Sequence, residues 1–451
     1  MAVYLSNLKY LKLLVELWSG EVGIQKIKRI YIRSYGCSMN LAQSEFIAGC
    51  LKESGYRIVD SIEEADIVIF NTCAVKKPTE DKIISTIKSV SEDKKIIVTG
   101  CLTMVNSKRI LSDVRVNGIV GPFPGSNIIK AVREVEGNGR PIILRNDFKP
   151  PLTTPRIPTS PTIRVIPIAY GCLGECTYCC EKLAAGCLRS YSIQEIVEAV
   201  KAAVSSGALE IWLSSHDCGC YGYDLGVNLA DLLREIVGIN GEFYVRVGMM
   251  SPDMALKIID ELVEVYKNRK IFKFIHIPVQ SGDDEVLRLM NRKYTVNDFK
   301  LLVDRLRKNI PEITIVTDII CGFPGETENA FENSIKLIKE LEPDFVNVSK
   351  FGPRPGTPAS KMKKLPTGIV KERSRTLSRL ATDIAIRRNM SWIGWIGNAI
   401  IDEKGKAETV MGRNYTYKPI VIDGGADLIG KVVKVKIVNA VSTHLRGVLI
   451  S

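Results

Sequence analysis

Residues 166–180 read IPIAYGCLGECTYCC. Three of these cysteines, Cys172, Cys176 and Cys179, are spaced C-x3-C-x2-C on a short glycine-containing loop. The loop follows an apolar, β-like run from Ile163 to Ala169, so three thiolates can converge on one point. Convergent thiolates bind metal. A structural zinc site takes four protein ligands, whereas three thiolates favour a four-iron cluster with one iron left open. An open iron is a place for chemistry. Cys180 follows the third ligand directly, should point elsewhere, and reads as a bystander.

The rest of the chain suits such a centre. Its 451 residues allow two or three domains, and 45% apolar with 25% charged residues describes a globular protein, not a disordered one. A net charge of +12 points to a polyanionic partner such as RNA. Twelve cysteines without a secretory signal indicate metal and redox chemistry in a reducing compartment, hence the cytoplasm. The segment Tyr4 to Trp18 is apolar on one face, but Lys9, Lys12 and Glu16 interrupt it and it is too short to span a bilayer. No other stretch reads as transmembrane, and no membrane partner is expected. No G-x-x-x-x-G-K loop occurs and no G-x-G-x-x-G follows a strand, which argues against nucleotide hydrolysis and nicotinamide chemistry.

Upstream of the loop, KRIYIRSYGC ends at Cys37, DIVIFNTC at Cys73 and KKIIVTGC at Cys101. Each is a β-branched strand, a short turn and a cysteine, with helix-like segments between them (Gln43 to Ser54, Thr79 to Ser91). Strands alternating with helices build a parallel sheet whose functional loops lie at the carboxyl ends. Cys37, Cys73 and Cys101 should therefore meet at one edge and hold a second iron-sulfur cluster. Burial as small hydrophobes would explain any one of them better than the set. Cys50 falls inside a helix and is left out.

Six prolines between Pro141 and Pro161 mark a linker. Beyond it, strands are expected at Leu209 to Ser214, Phe243 to Met249, Phe272 to Val279, Thr314 to Ile320 and Phe345 to Phe351. Helices are expected at Ile193 to Ser205, Leu229 to Ile236, Met254 to Tyr266, Val296 to Lys308 and Ala330 to Leu341. Six βα units make a partial barrel with its site at the carboxyl ends of the strands and an open side for a macromolecule. Lys371 to Met390 reads as a basic amphipathic helix. The fold class is thus α/β: an extension (1–27), an N-terminal parallel α/β sheet domain (28–140), the linker (141–161), a central partial (βα)6 barrel (162–390) and a small all-β barrel (391–451). On the small barrel Arg413, Tyr415, Lys418, Lys431, Lys434, Lys436 and Arg446, with Tyr417, offer cations and aromatic faces to RNA.

The motifs SYGCSMNLAQSE, FNTCAVKKPTEDK, YGCLGECTYC, HIPVQSGDDEVLRLMNRKYT, TDIICGFPGETE and GRNYTYKPIVI together resemble the methylthiotransferase family of the radical S-adenosylmethionine (SAM) superfamily, with its C-terminal TRAM domain. SYGCSMN, DCGCYGYDLG and NRKYT resemble the archaeal and eukaryotic branch, which acts on N6-threonylcarbamoyladenosine beside the tRNA anticodon. Eukaryotic members carry a C-terminal membrane anchor; the chain stops at Ser451 without one, so the archaeal-like form is expected.

The resemblance implies SAM and two 4Fe-4S clusters as cofactors, the tRNA anticodon stem-loop as substrate, and an electron donor protein and a sulfur donor as partners. SAM is cleaved at the first cluster, and sulfur passes from the second to C2 of the adenine, a step whose hard chemistry the cofactors carry. Tyr178 falls near the adenine of SAM, while Gln280, Ser281, Asp318 and Gly322 line its pocket. The target base should be splayed from the RNA. Ala185, Cys187, His216, Cys218 and Cys220 depart from the family pattern. Isopentenyladenosine in tRNA, a ribosomal-protein side chain, and a non-catalytic iron-sulfur RNA-binding protein are the competing readings.

Overall fold

In the first third of the chain, short β-branched runs form β1 (Arg29–Ser34), β2 (Arg57–Ile58), β3 (Ile67–Thr72), β4 (Lys95–Gly100), β5 (Gly118–Val120) and β6 (Ile142–Ile143). The computed structural model describes residues 28–144 and 149–450, so the expectations for the extension, including Tyr4 to Trp18, lie outside the described residues. The six strands are all parallel in the order β2-β1-β3-β4-β5-β6. Helices α1 (Ser38–Glu53), α2 (Lys77–Lys88), α3 (Cys101–Val105), α4 (Ser107–Asp113) and α5 (Asn127–Glu136) flank them. β3 is buried along its whole length, as a central parallel strand covered on both faces must be.

The proline-rich stretch is less of a linker than expected. Pro141 lacks an N–H, but its carbonyl accepts from Ile119 N at 2.9 Å, and the next two residues pair with β5 as an edge strand. Further on, Thr159 N donates to Glu45 Oε1 at 2.9 Å, and Ile157 N to Glu45 O at 3.1 Å, so the segment is laid along α1.

The central part contains β7 (Ile163–Pro167), the short pair β8 (Ala169–Tyr170) and β9 (Arg189–Ser190), then β10 (Glu210–Ser214), β11 (Tyr244–Val247), β12 (Phe274–His276), β13 (Thr314–Cys321) and β14 (Phe345–Lys350). Two parallel sheets, β7-β10-β11 and β12-β13-β14, are joined by a parallel bridge between Val245 and Ile271, giving an open wrap of six strands. β12 is shorter than its apolar run. Pro278 cannot donate, and Val279 N turns to the Thr317 hydroxyl at 2.9 Å instead of a backbone carbonyl.

Outside the strands lie α6 (Glu181–Ala185), α7 (Ile193–Ser205), α8 (Leu229–Val237), α9 (Pro252–Lys257), α10 (Ile259–Tyr266), α11 (Asp284–Leu289), α12 (Val296–Asn309), α13 (Glu328–Leu341) and α14 (Thr367–Met390). Leu377, Ala381 and Ile384 bury the apolar stripe of α14. Its basic side is not wholly exposed, because Arg373 is buried in ion pairs with Glu326 at 2.7 Å and Glu328 at 2.8 Å.

The last segment closes a barrel of β15 (Ile396–Lys404), β16 (Thr409–Arg413), β17 (Pro419–Asp423), β18 (Val432–Ala440) and β19 (Leu445–Leu449) in the order β15-β16-β17-β19-β18. Alternate residues, among them Ile401, Val410, Ile420, Val435 and Ile437, fill its interior. The barrel docks on the amino ends of the central strands. Tyr417 packs with Phe272 and Phe274 at ring separations of 4.8 and 5.0 Å, Lys273 N donates to Tyr415 O at 2.8 Å, and Thr162 Oγ1 donates to Asp402 O at 3.4 Å. Burying these rings contributes roughly 1.5–3 kcal/mol for each fully buried side chain.

Candidate functional site

The loop after β8 is held by tight backbone approach. Gly171 has φ +75°, and a Cβ there would lie 1.9 Å from Cys187 O, so only glycine turns the chain into Cys172 at this point. A Cβ on Gly174 would sit 3.3 Å from Cys172 Sγ and 3.7 Å from Cys176 Sγ, which places both sulfurs around the loop centre. Gly174 N donates to Cys172 Sγ at 3.1 Å, and Arg292 Nη1 donates to Cys176 Sγ at 2.9 Å. Burial pushes the Cys179 thiol well up, with Glu181 and Cys176 adding to it. N–H donors aimed at sulfur, one of them cationic, suit thiolates that hold an iron-sulfur cluster.

Cys37, Cys73 and Cys101 follow β1, β3 and β4, which are neighbours in the sheet, so the βα turns deliver them side by side. Gly36, at φ +113°, lets the first turn approach the second, since a Cβ there would be 2.8 Å from Cys73 Cβ and 3.2 Å from its Sγ. Burial pushes Cys37 up to about 11, and raises Cys73 and, further, Cys101. The charges of Cys37 and Cys73 also act on Cys101. Ionising three adjacent thiols, Cys73 and Cys101 buried and Cys37 at the surface, is costly in the absence of a cation, and a metal cluster offsets that cost. The residues fit such a group.

The two sets look at each other. Ser38 Oγ, beside Cys37, is 2.6 Å from Ser214 Oγ at the carboxyl end of β10, and Cys180 Sγ reaches Ala74 O at 3.4 Å. Glu181 opens α6 directly after the cysteine loop, and its charge acts on Cys37, Cys73 and Cys101 and also on Cys172 and Cys179. Burial pushes its own carboxyl up to about 7.

Tyr178 packs edge-on to Phe323 at 6.3 Å, beside the cysteine loop. Asp318 lies on the face of β13 opposite the helices. It is joined by His276 Nε2 at 3.1 Å and Asn347 Nδ2 at 2.6 Å from the flanking strands. Gln280, held at φ +71°, gives its N–H to Asp318 O at 2.8 Å. Ser281 is fully buried and its hydroxyl accepts from Asp283 N, while the Gly322 amide donates to Glu326 Oε2 at 2.8 Å and a Cβ there would lie 2.5 Å from Val370.

On the small barrel, Lys431, Lys434, Lys436 and Arg446 are exposed. Lys431 lies 3.8 Å from Asp427, and Arg446 pairs with Asp423 at 2.9 Å. Lys418 and Arg413 are corrections. Lys418 is buried, with its Nζ 2.8 Å from Asp344 and 2.9 Å from Asn389 Oδ1. Arg413 is spent on Asp402 and Glu403. Tyr415 gives its hydroxyl to Glu312. Lys418 and Tyr415 join the barrel to the central body, while Arg413 is spent within the barrel on β15, contacts that residue type and strand alternation do not reveal.

Three side chains at the site escaped the sequence reading: Arg292, Glu181 and Arg354. Arg292 lay in plain view in NRKYT; its target, 116 residues away, did not. Among the departures from pattern, Cys218 is buried under β10 and Cys187 is exposed. His216 packs edge-on to Phe123, and burial lowers it to about 4, so it is neutral at pH 7. Cys220 is different: its sulfur, the Cys172 sulfur and an Asp217 carboxylate oxygen lie within 4.8 Å of one another.

An open six-stranded βα wrap with a C-x3-C-x2-C loop at its carboxyl mouth defines a radical SAM protein, and the Radical SAM superfamily pattern matches residues 166–338. The pattern of "Uncharacterized protein family UPF0004" matches residues 29–121 and that of the TRAM domain residues 394–450. The chain is 46% identical to the probable threonylcarbamoyladenosine tRNA methylthiotransferase of Pyrococcus horikoshii, over 94% of this chain and all of that one. It is 35% identical to the human threonylcarbamoyladenosine tRNA methylthiotransferase, over 94% of this chain and 74% of that one. It belongs to the threonylcarbamoyladenosine tRNA methylthiotransferase family.

Membership implies SAM and a 4Fe-4S cluster as cofactors. Among solved structures, the radical SAM methyltransferase TsrM from Kitasatospora setae, with cobalamin and a 4Fe-4S cluster bound, superposes with a TM-score of 0.55 at 14% identity, over 74% of this chain and 77% of that one. The radical SAM enzyme OxsB gives 0.52 at 10% identity, over 79% of this chain and 56% of that one. These likenesses concern the fold. Among the described residues no helix is long and apolar enough to cross a membrane.

Proposed function

We propose that this protein converts N6-threonylcarbamoyladenosine, 3′ of the tRNA anticodon, to its 2-methylthio derivative, using two 4Fe-4S clusters. Cys172, Cys176 and Cys179 hold one cluster, Cys37, Cys73 and Cys101 the other. The observation that carries the reading is the meeting of the two cysteine-bearing loops, Cys180 Sγ on Ala74 O and Ser38 Oγ on Ser214 Oγ. The reaction needs hydrogen removal and sulfur delivery at the same carbon, and reacting groups gain most when held at contact distance. When bound, the first cluster and SAM supply the radical chemistry that removes hydrogen from an unactivated C–H.

The chain's own residues do the rest. Gly174 N–H and Arg292 stabilise thiolates on the first set, and Asp318, oriented by His276 and Asn347, offers a fixed carboxylate on the inner face of the barrel. Gln280 lies four residues past β12, bridged to Ile319 of β13, where it can present its amide to a bound cofactor. The exposed Lys434 and Lys436 support RNA binding. The small barrel sits at the amino ends of the strands and the cysteines at the carboxyl ends. A tRNA touching both must run the length of β13, eight residues or roughly 26 Å, alongside the open wrap. An electron donor protein and a sulfur donor complete the cycle, and the free thiols support a reducing cytoplasm.

The test is mass analysis of tRNA nucleosides from a host lacking, or expressing, the protein. Appearance of the 2-methylthio form on expression supports the reading; an unchanged threonylcarbamoyladenosine pool refutes it.

A further inference from the structure

We propose that Cys220 donates a hydrogen bond through its thiol to the sulfur of Cys172, and so raises the reduction potential of the cluster that Cys172 holds. The inference rests on the assignment of Cys172, Cys176 and Cys179 to the SAM-binding cluster. Cys220 takes no part in either cysteine set.

The turn that carries it is rigid. Asp217 Oδ1 accepts from Gly219 N at 2.9 Å, and Asp217 O accepts from Cys220 N at 3.2 Å. A Cβ on Gly219 would lie 2.7 Å from Met254 Cβ, so the turn is pressed against α9. The outcome is a sulfur only 1% exposed, within 4.8 Å of both Cys172 Sγ and the Asp217 carboxylate.

Two acceptors face the thiol, and one is already engaged. The Asp217 carboxylate takes Ser251 N at 3.0 Å and Ser251 Oγ at 2.5 Å as well as Gly219 N. Three donors take up three of the roughly four lone-pair sites of that carboxylate, whereas the Cys172 sulfur has a single donor and room for a second. Gly174 N–H already donates to Cys172 from the loop side, so Cys220 supplies a second donor from the barrel side. Hydrogen bonds to cluster sulfurs stabilise the reduced form, which carries one more negative charge, and move the potential up. Cys220 is thus a positioning residue acting through Cys172.

The experiment is an anaerobic redox titration of the reconstituted full chain followed by electron paramagnetic resonance, on wild type, C220S and C220A. The cluster in question is the one whose signal changes on adding SAM. Removing the donor in C220A should lower the midpoint by up to about 59 mV, a tenfold shift in a one-electron equilibrium. C220S, whose hydroxyl still donates, should stay near wild type. Coincident midpoints for all three, or a C220S midpoint as low as that of C220A, would overturn the proposal. Should C220A lose its iron, C220V keeps the volume without the donor, and a C220V midpoint equal to wild type overturns it equally. A wild-type cluster signal with no response to SAM would instead bring down the cluster assignment together with the inference; a responsive signal with unshifted midpoints brings down the inference alone.

Discussion

Arg354 Nη2 lies 2.5 Å from Glu80 Oε2, with the two side chains 4% and 1% exposed. The arginine follows β14 of the central wrap and the glutamate belongs to α2 of the N-terminal sheet, so this pair ties the two cysteine-bearing units together. Glu80 also receives Arg109 Nη1 and Asn106 Nδ2, each at 2.8 Å. Among the described residues Arg354 pairs with no second carboxylate, and its positive charge acts on Cys73 and Cys180. The partners are therefore unequal. E80L strands a buried guanidinium and should cost about 3–5 kcal/mol, the usual penalty for breaking a buried pair from one side. R354M leaves Glu80 with Arg109 and should cost less. Thermal unfolding, with iron retained by Cys37, Cys73 and Cys101 as a second readout, checks the order.

The two cysteine sets should fail differently. C176A is expected to abolish SAM cleavage. C101A should leave cleavage intact and stop sulfur transfer to RNA. Iron analysis of the reconstituted protein should give about eight irons per chain in wild type, falling to about four when either set is replaced by alanine. Equal loss of cleavage in both variants contradicts separate roles.

The seam between the central wrap and the small barrel buries two carboxyls. Burial, and then the charge of Asp402, push Glu210 up to about 8. A carboxyl whose folded pKa lies above its unfolded value stabilises fully below the unfolded value, and that contribution is lost as pH rises through the folded one. Wild-type melting temperature should fall by a few degrees between pH 5 and pH 8.5, an effect E210Q should flatten. Melting curves across that range test it; a wild-type profile as flat as that of E210Q counts against it.

Charge on the small barrel should separate by burial. K434A and K436A should each weaken tRNA binding and reduce the slope of log K against log salt by about 1. K418A removes the nearer of the two cations paired with buried Asp344, leaving Arg388, so it should lower the melting temperature and leave the salt slope unchanged. Binding isotherms at several salt concentrations read both outcomes.

The readable parts of this protein are those that a short window carries. Strand, turn and cysteine recur in KRIYIRSYGC, DIVIFNTC and KKIIVTGC, and hydrophobic period alone separates those strands from the helices between them. Helix boundaries at Ile193, Leu229 and Val296 match their first expected residues, since the Ser192, Asn228 and Thr295 caps are local signals. Lys418 and Arg413 misled because a cation in a barrel turn or strand looks the same whether it faces solvent or a buried carboxylate, here Asp344 for Lys418 and Asp402 for Arg413. Gly322 and Ser281 sit at the expected strand ends, but their backbones are claimed by neighbours that the strand pattern does not show.

The amino-acid sequence by itself determined the chemistry on offer, six thiols in two sets, and the order of strands that carries them, because spacing and periodicity are properties of a few adjacent residues. Only the tertiary structure decided that the loops of the two sets meet, that Arg354 finds Glu80 across 274 residues of chain, that Cys220 lies near Cys172, and that the small barrel closes the opposite end. Those relations come from packing between distant segments, where burial and the pairing of buried charge select one arrangement from many that the local patterns permit.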